Sequence, residues 1–202
     1  MAVKGGPNIV TQGLDLALDS GNKKSIPLDP TVNLVPRPND ITLWGGYRDI
    51  QITASNALAP DGTLTANTIA FTGSNGYIAY TTGIGATTGS QYTTSVYIKM
   101  ISGSIIDWNW GGVHGGNRTN FRFDTTTGTF SNLSIPAGEI YGAEQSVDGY
   151  WRLYASSTMN AGTTLNYFPQ LNAFINNTFL MWGTQIERNK YATPLVSGSR
   201  TN

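Results

Sequence analysis

The residues with the most chemistry per unit length lie together in Asp107-Trp108-Asn109-Trp110-Gly111-Gly112-Val113-His114-Gly115-Gly116-Asn117-Arg118. Trp108 and Trp110 are two apart, so on a strand they face the same side. Indole faces stack on the C–H faces of sugars, and Asn109, His114, Asn117 and Arg118 can hydrogen-bond hydroxyls. Paired glycines let a ligand approach the backbone closely. Trp108, Asn109, Trp110, His114, Asn117 and Arg118 are therefore the candidate binding residues, for a glycan or for a protein surface. The competing reading is that one or both Trp residues fill the core, as large aromatics commonly do, and that the glycines only make a long turn.

Catalytic constellations are harder to assemble. A Ser-His-acid triad would have to use His114, the single histidine of the chain. Glycines on both sides give that backbone wide conformational freedom, whereas a catalytic base must be held rigidly. A glycosidase needs two carboxylates about 5–10 Å apart across a cleft. Glu139, Glu144, Asp148 and Glu187 are available, but the sequence marks no pair, and turn or edge roles explain most of them. In Gly83-Ile84-Gly85-Ala86-Thr87-Thr88-Gly89 the third glycine comes one place late for a nucleotide loop. A Thr-rich strand follows instead of the helix that cradles phosphate. Asp61, Asp124 and Glu187 are candidates for a structural cation, yet carboxylates this sparse more often cap turns. The chain has no cysteine, which excludes disulfides and thiolate metal sites. The expectation is a non-enzymatic protein with no metal and no cofactor.

Composition narrows the classes further. Twelve Lys+Arg balance twelve Asp+Glu, charged residues make up only 12% of the 202, and Thr outnumbers even the 24 Gly. Such a surface is wetted by hydroxyls and amides rather than ions. Zero net charge without a basic cluster argues against nucleic acid as a partner. No run of eighteen apolar residues exists to make a membrane helix. The opening MAVKGGPNIV has no apolar core of the kind an ordinary secretory signal carries. Three Asn-X-Ser/Thr triplets, at Asn117, Asn132 and Asn176, are read as chance in an Asn- and Thr-rich chain.

The elements that must carry these residues read as strands. Thr94, Val96, Ile98 and Met100 share one face, with Thr93, Ser95, Tyr97 and Lys99 on the other. Trp151, Leu153 and Ala155 alternate with Tyr150, Arg152 and Tyr154. Leu180, Trp182, Thr184 and Ile186 alternate with Phe179, Met181, Gly183 and Gln185. Pro60-Asp61-Gly62, Gly73-Ser74-Asn75-Gly76 and Asp148-Gly149 punctuate these runs with turns. No window shows helical spacing. Short strands with such turns predict an all-β protein, an antiparallel sandwich or barrel. Organisation changes near residue 33. Residues 1–32 hold one alternating strand (Leu14, Leu16, Leu18) and a proline-containing linker, and read as an N-terminal arm. Residues 33–202 read as one β domain with a short polar tail.

Residues 33–202 also resemble a β-sandwich domain of tailed-phage virion proteins, similar to a carbohydrate-binding-module jelly roll. The resemblance lies in the order of Asn33-Leu34-Val35 leading to Trp44, Ala59-Pro60-Asp61-Gly62-Thr63, and Gly89 through Lys99. Phe123-Asp124 with Thr127-Gly128-Thr129 and Asp148-Gly149-Tyr150-Trp151-Arg152-Leu153 come next. Trp182-Gly183-Thr184-Gln185-Ile186-Glu187 before Ala192-Thr193-Pro194 completes the set. Gln185 and Glu187 share a strand face and can tie down neighbouring backbone or a cation. Residues 13–25 resemble the first strand of lectin-like domains in marine phage structural proteins, and the match stops by about residue 26. The resemblance implies a jelly-roll-like sandwich located in the virion, working as capsid decoration, short fibre or tail appendage. Its partners would be other virion proteins and copies of itself. The alternative is a host-surface glycan-binding module of a receptor-binding appendage.

Overall fold

The computed structural model describes residues 32–41, 44–80, 83–109, 119–159, 164–165 and 170–195. The chain divides into two units between Pro30 and Thr31. The arm expected over 1–32 lies almost wholly outside the described residues, and the strands all belong to the second unit.

Among the described residues fourteen strands succeed one another. The first seven are β1 (Gly46–Arg48), β2 (Ile50–Ala57), β3 (Ala66–Phe71), β4 (Tyr77–Ala79), β5 (Ile84–Gly85), β6 (Gln91–Ser102) and β7 (Ile105–Asn109). The others are β8 (Asn120–Asp124), β9 (Thr129–Ser134), β10 (Tyr141–Gln145), β11 (Trp151–Thr158), β12 (Thr164–Leu165), β13 (Gln170–Asn172) and β14 (Thr178–Glu187). No α-helix occurs among the described residues. One six-stranded sheet runs β1-β4-β13-β7-β8-β9, a second runs β10-β11-β6-β14-β3-β2, and β5 pairs with β12. Every pairing is antiparallel. The chain crosses repeatedly from one sheet to the other, so the protein is a jelly-roll-like β-sandwich.

Period-two alternation produces the core. In β7, Ile106 and Trp108 are buried while Ile105, Asp107 and Asn109 are half-buried; in β8, Phe121 and Phe123 alternate with Asn120, Arg122 and Asp124. The inward residues meet Val96, Ile98, Leu153, Ala155, Phe179, Met181 and Ile186 of the second sheet in one apolar cluster. Rings bridge the layers. Phe123 meets Trp151 edge-on at 5.1 Å, and Tyr141 meets Phe121 at 5.8 Å and Phe130 at 5.0 Å. Each such pair adds roughly 0.5–1.5 kcal/mol beyond burial.

The expected alternation of β14 needs one correction. Trp182 pairs with Tyr97 but Gln185 pairs with Ser95, so Gly183 and Thr184 together oppose Val96. This is a β-bulge, and Gly183 takes the positive φ of 64° that it requires. The extra residue reverses the phase of the strand. Phe179, Met181 and Ile186 point inward, while Leu180 and Trp182 enter a separate apolar cluster on the outer face with Tyr150 and Tyr97. Asn33 seals the bulge: its Oδ1 accepts the Ile186 N–H at 3.1 Å and its Nδ2 donates to the Thr184 carbonyl at 3.3 Å.

Beyond the bulge, Gln185 and Glu187 face outward yet are 0% and 1% exposed. Gln185 Nε2 donates to the Thr193 carbonyl at 3.0 Å, and a Glu187 carboxylate oxygen accepts the Thr193 N–H at 3.0 Å. Arg152 Nη2 also donates to the Thr193 carbonyl. The amide of Gln185 and the carboxylate of Glu187 thus tie down neighbouring backbone. Asp61 and Asp124 act locally as well, accepting the Thr63 and Thr126 N–H groups at 3.0 and 2.9 Å.

Candidate functional site

The outer face of the first sheet carries a row of polar side chains. Register places Arg48 opposite Tyr77, Tyr77 opposite Asn172, Asn172 opposite Asp107, and Asp107 opposite Arg122. Opposed residues of antiparallel strands share a face, so these five line up across five strands. A second row sets Gln170 beside Asn109. The sequence makes this face by placing Asp, Asn and Arg at every second position, out of phase with Ile106, Trp108, Phe121 and Phe123.

Hydrogen bonds fix the row. Arg122 grips Asp107 with two parallel bonds, Nε to Oδ1 at 2.6 Å and Nη2 to Oδ2 at 2.8 Å. Such a fork is geometrically specific. Donating this hydrogen bond to Asp107 also raises the guanidinium pKa above its ordinary value. Asn109 Nδ2 donates to Asn172 Oδ1 at 2.8 Å, and Gln170 Nε2 reaches the same oxygen at 3.2 Å. Asn172 Nδ2 donates to the Gly76 carbonyl at 3.2 Å. The Arg122 guanidinium lies 5.2 Å from the Phe174 ring, and Phe174 is 50% exposed. Arg48 covers Tyr77 at 5.5 Å. The face therefore combines a fixed ion pair, an amide ladder and two aromatic rings.

A cavity of about 180 Å³ opens in this face, lined by Asp107, Asn109, Asn120, Phe121, Arg122 and Asn132. A second bulge shapes it. Asn120 pairs with Ser134 but Arg122 pairs with Ser131, so Asn132 and Leu133 oppose Phe121. Asn132 adopts φ 51°, a conformation that Asn tolerates better than most residues. Bulges re-aim side chains, and this one brings an amide beside the ion pair. Hydrogen-bonding capacity is left over: among the described residues nothing bonds Arg122 Nη1, Asn109 Oδ1 or the Asn132 amide. Both Asp107 oxygens accept from Arg122, so the carboxylate is held as an ion-pair partner.

Of the six residues selected from sequence, two are described. Asn109 is on the outer face at the cavity. Trp108 points the other way: it is 0% exposed and stacks on Phe121 at 5.4 Å with ring planes 13° apart. Its indole packs inside the sandwich and offers no face to a ligand. Trp110, His114, Asn117 and Arg118 lie outside the described residues, in the segment joining β7 to β8. Sequence reasoning missed Asp107, Asn120, Arg122, Asn132, Gln170 and Asn172 as a set. Their signal was the polar half of each alternating strand, opposite the aromatic half.

The sequence matches no protein-family model and no curated protein. Solved structures similar in shape include the carbohydrate-binding module CBM6cm-2 of Cellvibrio mixtus lichenase 5A, bound to cellotriose. It is 10% identical, with TM-score 0.41, and the match covers 79% of this chain and 96% of that one. Another comprises the CBM22-1 and GH10 modules of Clostridium thermocellum xylanase 10B with xylohexaose, at 11% identity and TM-score 0.42. That match covers 84% of this chain and 30% of the other. A third is the module TmCBM61 with β-1,4-galactotriose, at 13% identity and TM-score 0.37, covering 78% of this chain and 99% of that one.

Proposed function

We propose that this protein is a non-enzymatic glycan-binding module whose ligand lies on the outer face of the first sheet. The observation that supports the reading is the cavity at Asp107, Asn109, Arg122 and Asn132, where leftover donors and acceptors stand on a rigid sheet. Sugar hydroxyls are both donors and acceptors, and a fixed set of amide and guanidinium groups matches them without rearranging. Exposed Phe174 at the edge of the row supplies an apolar surface for a ring C–H face. The test is a glycan array on the wild-type protein, followed by titration of any hit against Arg122→Ala and Asn132→Gly. Saturable binding weakened by both substitutions, with the melting temperature nearly unchanged, supports the site. A hit indifferent to both moves the ligand elsewhere.

For its place of work we propose the virion, on the strength of the sequence resemblance of residues 33–202 and 13–25. There the module would serve as a receptor-binding appendage or surface decoration. Residues 1–32 would attach it to other virion proteins or to further copies of the chain. Labelled antibody against the protein, applied to intact phage particles whose genome encodes this sequence, tests this directly; the absence of such particles, or particles that stay unlabelled, refutes it.

A further inference from the structure

A second cavity, of about 300 Å³, lies on the opposite side of the sandwich from the polar row. Pro38, Asn39, Asp61, Trp182 and Leu195 line it. It exists because the β14 bulge turns Trp182 outward, where the 38–39 segment, the 60–62 turn and Leu195 surround the indole. The ring is held from behind. Its Nε1 donates to Thr65 Oγ1 at 2.9 Å, and Tyr97 meets it edge-on at 5.3 Å. Arg152 in turn lies 5.6 Å from the Tyr97 ring.

The polar groups of this cavity are half used. Asn39 Oδ1 accepts the Gly183 N–H at 3.0 Å, which leaves its Nδ2 as a donor with no partner among the described residues. Asp61 Oδ1 accepts both the N–H and the hydroxyl of Thr63, at 3.0 and 2.7 Å, and Oδ2 is left as an acceptor. A donor and an acceptor thus stand beside a wall of indole, proline and leucine.

We propose that this cavity is a second ligand site, for a single neutral pyranose ring. The apolar wall suits the C–H face of the ring. Asn39 Nδ2 can donate to one ring hydroxyl and Asp61 Oδ2 can accept from another. The size is at the lower end of small-molecule pockets, about 300–1,000 Å³, which fits one ring rather than a chain. The carboxylate of Asp61, with no cation among the lining residues, disfavours acidic sugars. The site is independent of the sheet-face reading and shares no residue with it.

The experiment follows the Trp182 indole N–H and the Gly183 amide by NMR on the full chain. The probes are methyl β-glucopyranoside, methyl β-galactopyranoside and methyl α-mannopyranoside, raised to well beyond the roughly millimolar affinity that so few contacts support. One of them should shift both signals saturably. Asn39→Asp keeps the acceptor for Gly183 and removes the donor; Asp61→Asn keeps the acceptor for Thr63 and reverses the free end. Each should weaken binding about tenfold, the value of one lost hydrogen bond, whereas Arg122→Ala should leave it unchanged. No saturable shift with any probe overturns the proposal, as does a shift indifferent to both substitutions. Binding that arises only after residues 196–202 are deleted also overturns it, because the occupant is then the tail of the chain itself.

Discussion

Asp107 and Arg122 face each other across the β7–β8 pair, joined by two hydrogen bonds of 2.6 and 2.8 Å with both side chains 31% exposed. Their partial exposure means that solvent screens the charges, and the pair should add at most about 1 kcal/mol to stability. A double-mutant cycle with Asp107→Asn and Arg122→Gln, read by urea unfolding, should return a coupling of that size. A value of several kcal/mol would mark the pair as a folding device rather than a recognition surface.

Trp108→Ala should be among the most damaging single substitutions. The side chain is fully buried and stacked on Phe121. Truncation leaves a cavity costing about 3–5 kcal/mol, to be read as a lowered midpoint in denaturant. Trp108→Phe should cost distinctly less, since it keeps the ring stack.

Gly183→Ala should destabilise through two effects at one atom. The residue sits at φ 64°, and an added Cβ would come within 2.8 Å of Leu195 Cδ2 and 3.1 Å of Tyr97 Cδ2. The expected loss is about 1–3 kcal/mol. A melting temperature equal to wild type would show that β14 can be repaired without the bulge.

Glu187→Ala should release the 192–194 segment. The carboxylate accepts the N–H and hydroxyl of Thr193, and truncation removes both of these hydrogen bonds, at roughly 0.5–1.5 kcal/mol each. Amide exchange at Thr193 should speed up by more than at core strands such as β6. Equal protection in the variant would mean that Gln185 and Arg152 suffice.

Tyr150 sets an alkaline pH dependence. Burial, and secondarily the Asp148 carboxylate, push its hydroxyl from 10.0 up to about 12. The hydroxyl donates to the Leu58 carbonyl at 2.8 Å, which only the protonated form can do. Above pH 10 the unfolded chain releases this proton while the folded chain keeps it. The contribution is therefore fully present below pH 10 and is lost as pH rises through about 12. Tyr150→Phe should flatten the fall in stability over that window; an unaltered alkaline slope would count against the assignment.

Much of the architecture was legible in local patterns. Period two at Thr93–Met100 and at Tyr150–Ala155 assigned faces correctly, because a strand side chain has only two directions to choose from. The Asp148-Gly149 and Pro60-Asp61-Gly62 turns were equally local, set by backbone torsions of the residues present. The order of the motifs around Asn33, Trp182 and Glu187 was visible too, and the fold supplies their physical role: Asn33 and Glu187 pin backbone that comes from other segments of the chain. The phase of β14 was not legible. Whether Gly183 continues a strand or makes a bulge depends on what Val96 and Asn33 offer it, and they are distant in sequence. The candidate site divides in the same way. Trp108 and Asn109 are neighbours in one motif, but the sandwich sends one into the core and the other to the surface. Asp107, Arg122, Asn132 and Asn172 acquire common meaning only when sheet register sets four separate strands side by side. Sequence determined which side chains alternate, because alternation is a property of one strand; tertiary structure decided which of them meet, because pairing is a property of several.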